Sequence, residues 1–463
     1  MIYHKTILAD LLTPVSAFLR IAHASPRAFL LESVEGGERI ARYSFLGADP
    51  ESSYEGSLAG FRESFPHQRE PHPELPPFTG GAVGCFTYDM VRELERLPRA
   101  RTGEGEVPAV LMDFYSTVLA FDHVQHRIVI MSHEGPEKIE EMEARLQQPS
   151  PRERLVRESG EIWERIQEAV NADPTAGGDP WDEKRIHRFT SAEEFCAAVE
   201  RAKEYILAGD IFQVVLSQAF ETAFSGDPFD VYRALRYINP SPYMFFLKRN
   251  GTCVTGASPE MLVRVQGRRL EYRPIAGTRR RGRDPESDQR LERELVADPK
   301  ERAEHLMLVD LGRNDLGRVC EFGEVAVERY MFVERYSHVM HLVSSLRGTL
   351  RSDLDRFDAL ASCFPAGTVT GAPKIRAMEI IDELEPVSRG VYAGAIGYVD
   401  YSDNLDTCIA IRTLVFRNGV ARFQAGAGIV ADSIPEREEL ECRNKARALV
   451  QAVKLGEVIG EGG

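Results

Sequence analysis

Strand-length apolar runs recur along this chain without a regular partner helix, and that pattern restricts the fold more than any single motif. AFLLES (Ala28–Ser33) and IVIMS (Ile128–Ser132) come first; FQVVLSQAF (Phe212–Phe220), MLVRV (Met261–Val265), VMHLVSSL (Val339–Leu346) and TCIAIRTLVF (Thr407–Phe416) follow. Each is short, rich in β-branched or aromatic residues, and flanked by Gly, Pro or polar clusters, as strands are. Helical periodicity lies between them at irregular intervals. Thr190 opens a T-x-x-E sequence with Glu193, after which Phe195, Ala198, Val199, Ala202, Tyr205 and Ile206 recur at helical spacing as far as Gly209. Further helices are predicted to start at Asp298-Pro299, Pro373 and Pro435, because proline suits a first helical turn. Strands that cluster in runs, without strict alternation with helices, predict an α+β protein with largely antiparallel sheets.

The chain divides by composition into three stretches. Residues 1–135 read as strands joined by loops. Residues 136–185 are charged and poor in aromatics, pass through AGGDP, and read as an exposed helix followed by a linker. Residues 186–455 carry most of the distinctive segments. One large domain or two intertwined ones is the expectation for 463 residues.

Charge and cysteine usage exclude several classes. A formal charge of −15 argues against general nucleic-acid affinity, which needs clustered Lys and Arg. Any small anionic substrate must then be held by local cations. No apolar run approaches the roughly 18 residues of a membrane span, and an acid interrupts the start MIYHKTILADLL, so no membrane partner and a cytoplasmic location are expected. Seven scattered cysteines with no CxxC pair fit reduced thiols.

Four constellations could carry chemistry. Glu301 and Glu304 in PKERAEHLMLVD, and Glu438 and Glu441 in PEREELECRNKA, are carboxylate pairs three residues apart, which a helix places on one face. Such a pair alone is ordinarily a solvated acidic face. Leu306, Leu308 and Val309 crowd the first, however, and carboxylates beside apolar residues suit a hard cation such as Mg²⁺. TVTGAPK, YAGAIGY and AGAGIV are Gly-rich but complete no nucleotide motif; tight turns or close approach to a small anion both remain open. His338 and His341, three apart on a strand, point to opposite faces and cannot share one metal. Arg412, inside an apolar run, needs an anionic partner, either structural or a substrate carboxylate.

Taken together, FQVVLSQ, GASPEML, PIAGTRRRG, ERAEHLMLVDLGRND, HVMHLVS, FPAGTVTGAPK, YAGAIGY, DTCIAIR and QAGAGIV resemble the chorismate-utilising enzymes, from about Ala28 to Lys445. The resemblance implies two large, mostly antiparallel sheets packed face to face with helices outside and the active site between them. It implies that Glu304 and Glu441 bind Mg²⁺ directly, with Glu301 and Glu438 beside them. Arg412 and Tyr392 would hold the enolpyruvyl carboxylate of chorismate, aided by the backbone at Gly426, Ala427 and Gly428. Glu260 would be the general acid for the departing ring hydroxyl. Gly277, Thr278, His341, Thr368 and Lys374 match the remaining pocket positions, Thr278 and His341 beside Glu260 as catalytic residues.

Within that family the sequence resembles the anthranilate-forming lyases, which sense tryptophan through LLES and NPSPYM segments. Both are present, and the implied tryptophan site comprises Glu32, Ser33, Pro242, Tyr243, Met244, Ile396, Tyr398 and Cys408. Ala276 stands where aminodeoxychorismate synthases place a nucleophilic lysine, and Gln213 where isochorismate and salicylate synthases place a lysine base. Ammonia, which needs little activation, is then the implied nucleophile. No glutaminase is visible, so a glutamine amidotransferase subunit is the implied partner in a hetero-oligomer. Aminodeoxychorismate synthase component I and a catalytically silent tryptophan-binding regulator are the alternatives.

Overall fold

The computed structural model describes residues 2–22, 24–33, 42–66, 72–98, 107–150, 181, 185–336 and 339–461. Its strands form a 12-stranded and a 10-stranded sheet, and all their pairings are antiparallel. The α+β expectation holds.

Strands of the early chain enter both sheets. Arg27–Glu32 pairs with Tyr243–Arg249 in the larger sheet, and Gly81–Phe86 pairs with Ala395–Asp400 in the smaller. The compositional boundary between 135 and 186 is therefore crossed by backbone ladders twice. Of the charged stretch, Pro136–Gln147 is a helix packed through Ile139, Met142 and Leu146; residues 151–180, including the expected linker, lie outside the described residues, as does His338.

Burial on both faces explains why the strands read as continuous apolar runs. In Arg27–Glu32, Phe29 joins Phe45, Phe78, Val83, Phe245, Ile396 and Tyr398 in a core between the sheets. Ala28 and Leu30 face the other way, against Phe18, Phe229, Tyr232 and Leu449 of the outer helices. A second outer layer packs Val309, Leu316, Phe357, Leu360 and Met378 on the smaller sheet.

Two local expectations are corrected. The helix that Thr190 was expected to open is Ala192–Leu207, capped by Ser191, whose hydroxyl accepts from Glu194 N at 3.1 Å while Glu194 reaches back to Ser191 N at 2.8 Å. Its capping box thus lies one residue later. TCIAIRTLVF is not one strand. Leu405–Ile409 belongs to the smaller sheet and Thr413–Arg417 to the larger, and the chain crosses between them at Arg412, whose φ is 50°. Helix starts at Pro299, at Lys374 after Pro373, and at Pro435 agree with the proline signals. Among the described residues no helix is long and apolar enough to cross a membrane.

Candidate functional site

A cavity of about 630 Å³ lies where the crossing at Arg412 meets the ends of two helices. Its floor comes from paired strands of the larger sheet. Gln213 and Val215 project into it from Gln213–Ala223, and Gln424, Gly426 and Gly428 from Val420–Ile429. Alternation along the second strand turns Ala427 to the opposite, helix-covered face, so its side chain is not on the wall. Space requires glycine at 426, where an added Cβ would lie 2.7 Å from the Tyr392 hydroxyl and 2.9 Å from the Leu216 carbonyl, whereas at 428 it would crowd only the movable end of Gln213, 2.5 Å from Nε2.

Glu260 occupies the turn between strands Thr252–Ser258 and Met261–Gln266 and faces the cavity while 6% exposed. Burial pushes its carboxyl up to about 8, although the neighbouring Thr368 hydroxyl pulls the other way. Near neutrality it holds a proton. Arg412 and Tyr392 line the same space. The Arg412 guanidinium donates to Asn239 Oδ1 at 3.4 Å, and no carboxylate pairs with it among the described residues. Burial lowers its pKa, the sign of a cation short of compensation.

Across the cavity stand the four glutamates. Asp298 caps the helix Pro299–Gly317, accepting from Lys300 N at 2.9 Å and Glu301 N at 3.3 Å, and so orients Glu301 and Glu304 inward. Glu438 and Glu441 enter from the helix Pro435–Glu461. Burial first, then the charges of Glu301 and Glu441, hold the Glu304 carboxyl above its ordinary range; burial likewise raises Glu438. A carboxylate held up by burial and by neighbouring carboxylate charge, as Glu304 is, suits a divalent cation. Among the described residues no three His, Cys, Asp or Glu side chains are already gathered as a metal centre. The all-oxygen donor set, spread over two helices, fits a hard cation that takes few protein ligands and fills its shell from water and substrate.

Two of the remaining sequence-predicted residues sit elsewhere than expected. His341 lies behind the wall, paired in register with Thr278; its Nδ1 is 3.1 Å from both the Gly277 carbonyl and the Thr278 hydroxyl. Gly277, Thr278 and Thr368 do face the cavity. Burial lowers the His341 pKa to about 4, so the ring is neutral, and a carbonyl partner requires the proton on Nδ1, leaving the Nε2 lone pair available. Lys374 is turned away into an ion pair with Asp315 at 2.8 Å and is not part of the wall.

Sequence reasoning missed Lys300 and Lys445, which line the cavity beside the glutamates. Lys445 pairs with Glu441 at 2.8 Å and donates to the Gly426 carbonyl at 2.9 Å. The signal was available, since each lysine lies four residues from a chosen glutamate, one helical turn away.

A second cavity, of about 160 Å³, opens between the sheets. All eight residues of the expected effector segment line it: Glu32, Ser33, Pro242, Tyr243, Met244, Ile396, Tyr398 and Cys408. Strand register brings them together, because Met244 pairs with Glu32 and Cys408 pairs with both Ile396 and Met261. Phe45, Arg264 and Asp406 complete the wall, the last two paired at 2.8 Å. The buried Ser33 hydroxyl has no hydrogen-bond partner among the described residues.

A family model described as chorismate binding enzyme matches residues 27–451. The chain is 47% identical to anthranilate synthase component 1 of Acetivibrio thermocellus, over 98% of this chain and 95% of that one. It is 46% identical to the protein of that name from Thermus thermophilus, over 98% of each. The crystal structure of anthranilate synthase component I from Streptococcus pneumoniae superposes with a TM-score of 0.73 at 36% identity, covering 96% of this chain and 99% of that one.

The Glu260 proton gives a stability test. An unfolded glutamate releases it near 4.5 and the folded one near about 8. The folded state therefore binds the extra proton between those values, and the stability it contributes is full below about 4.5 and lost as pH rises through about 8. Glu260→Gln has no such proton to lose. Urea unfolding from about pH 5 to about pH 9 should show wild type losing a few kcal/mol relative to the variant; parallel pH profiles would contradict the raised pKa.

Proposed function

The chain belongs to the chorismate-binding enzymes, and on that premise we propose that it is the chorismate-using component of an anthranilate synthase, a lyase of tryptophan biosynthesis that aminates chorismate and then releases pyruvate. The observation that carries this reading is the polarity of the first cavity. An arginine without a carboxylate partner among the described residues stands opposite four glutamates. A ligand with two carboxylates, one at each end, is complementary to that arrangement once a divalent cation joins the glutamates.

Arg412 and the Tyr392 hydroxyl would take the enolpyruvyl carboxylate, with the backbone at Gly426 and Gly428 close enough to follow it because neither residue has a Cβ. Glu304 and Glu441 would hold Mg²⁺ directly, with Glu301 and Glu438 beside them, and the ion would neutralise the ring carboxylate and withdraw electron density from the ring. Lys300 and Lys445 temper the charge of the glutamate quartet.

Glu260, kept protonated by burial, donates to the ring hydroxyl as its C–O bond breaks, so that the oxygen leaves as water. The ammonia lone pair makes the new C–N bond, and the amine's surplus proton returns to the Glu260 carboxylate. In the second step a ring carbon loses its proton and the ring C–O bond to the enolpyruvyl oxygen breaks, leaving an aromatic ring; the departing enolpyruvate takes up a proton at its methylene carbon and becomes pyruvate. His341, neutral and held behind the wall by its Nδ1 contacts to Gly277 and Thr278, has the Nε2 lone pair with which to help the ring proton move. Water is a weak nucleophile without a base, and Gln213, which lines the cavity, offers none. Ammonia needs none.

The "component 1" in the relatives' names implies a second component; in this reading it is an amidotransferase that supplies ammonia from glutamine. The second cavity is assigned to tryptophan as feedback inhibitor. Its Phe45, Tyr243 and Tyr398 walls suit an indole, while Ser33, Glu32 and the Arg264–Asp406 pair supply polar partners for an amino acid's charged groups. Asn239, three residues before Pro242 in that wall, bonds Arg412 in the other cavity, which gives inhibition a short path.

Incubation of the pure chain with chorismate, Mg²⁺ and an ammonium salt is expected to produce anthranilate fluorescence with equimolar pyruvate, rising with pH as free ammonia accumulates until the Glu260 proton is lost. Glutamine should support no turnover until the amidotransferase component is added. Absence of anthranilate under the first condition overturns the assignment. For the effector site, Ser33→Leu should weaken tryptophan inhibition at least about tenfold while changing kcat little; an unchanged inhibition curve would remove tryptophan from that cavity.

A further inference from the structure

Behind the cavity floor lies an ion pair that the catalytic scheme does not use. Glu385, directly after the helix Lys374–Leu384, and Arg389, four residues on, have side chains 5% and 1% exposed and meet at 2.7 Å. Among the described residues, the partners of the Arg389 side chain other than Glu385 and the Tyr88 ring all belong to the cavity wall. It donates to the Val369 carbonyl at 2.6 Å and the Val215 carbonyl at 2.8 Å, and its guanidinium lies 5.6 Å from the Tyr392 ring centroid, with the Tyr88 ring at 4.8 Å. The Glu385 carboxylate accepts from Ser217 N at 2.8 Å and Ser217 Oγ at 2.7 Å, and that hydroxyl accepts from Gln424 Nε2 at 2.8 Å. Val215, Val369, Tyr392 and Gln424 all line the cavity and come from four separate parts of the chain.

A buried ion pair is a weak source of stability, because desolvating both charges costs about as much as their attraction returns. What the pair supplies is geometry. The planar guanidinium offers donors in fixed directions, so two carbonyls, a carboxylate and two ring faces are held at set positions about one rigid group.

We infer that Arg389 and Glu385 are positioning residues for the chorismate site, fixing Tyr392 and the Thr368–Val369 turn against the two floor strands. This rests on the assignment of that cavity to chorismate. A lysine at 389 keeps the charge but, as a point donor, cannot hold the Val369 and Val215 carbonyls and Glu385 in one plane. The consequence is kinetic: Tyr392 and Thr368 shift relative to Arg412 and Glu260, and displacements near 1 Å at such groups cost about 100-fold in rate.

The test uses the full chain with chorismate, Mg²⁺ and ammonium salt. Arg389→Lys is expected to lower kcat about 10–100-fold while KM for chorismate changes less than about threefold, with near-ultraviolet circular dichroism and the urea midpoint close to wild type. Combined with Tyr392→Phe, its loss should fall short of the product of the single losses, since part of the Arg389 effect passes through the Tyr392 phenol. Ser217→Ala, which leaves the ion pair intact but cuts its link to Gln424, should lower kcat several-fold and gives the answer if Arg389→Lys does not fold. Unchanged kcat in the variants that fold, or losses that multiply in the double variant, would overturn the positioning role. A wild-type chain that makes no anthranilate overturns both this inference and the assignment beneath it.

Discussion

A guanidinium held at the crossing between two sheets, with no carboxylate partner among the described residues, is the constraint from which the site follows. Arg412 adopts a φ of 50° because the chain leaves the smaller sheet at Ile409 and enters the larger at Thr413. That conformation costs on the order of 1 kcal/mol for a residue with a Cβ, and burial of the charge costs more. Among the described residues the guanidinium has only its 3.4 Å bond to Asn239 Oδ1 to set against that cost, and no carboxylate. An anionic ligand offsets the cost, and the architecture delivers one: the crossing, the glycine floor and the helix carrying Glu304 open on the same space.

Burial also separates the roles of five glutamates in one cavity. Glu260 is desolvated far enough to stay protonated at pH 7, whereas Glu301, Glu304, Glu438 and Glu441 sit at helix faces with Arg279, Lys300 and Lys445 nearby. One environment makes a proton donor and the other a cation-binding cluster, from the same side chain. His341 is shifted the other way by the same cause, its neutral ring fixed in one tautomer by a backbone carbonyl.

Local signals carried much of this. The paired glutamates, the proline helix starts and the strand-length runs are short-range patterns, and TCIAIRTLVF apart the structure keeps them where the residues alone placed them. What depended on long-range pairing did not show. TCIAIRTLVF has the alternation of one strand, and only the two-sheet topology explains the break at Arg412. A boundary near 135 followed composition, which does not report that Gly81–Phe86 pairs with a strand more than 300 residues later. Lys374 and Ala427 belong to motifs whose neighbours line the cavity, yet an ion pair with Asp315 turns one away and strand alternation the other. Arg389 and Glu385 were invisible because four-residue spacing between opposite charges is commonplace on surfaces, and only burial distinguishes this pair.

The central claim, that Arg412 is a cation reserved for a carboxylate of chorismate, can be measured without turnover. Calorimetric titration of chorismate into the chain with Mg²⁺ and no ammonia, compared with Arg412→Gln, isolates binding. Removing a buried cation with no carboxylate partner should leave the urea midpoint equal or higher, while loss of a charge-assisted bond should weaken chorismate binding by about 30-fold or more, on the order of 2 kcal/mol. A variant that is destabilised yet binds chorismate as tightly as wild type would show instead that Arg412 serves the fold, and the orientation of substrate proposed for this cavity would be wrong.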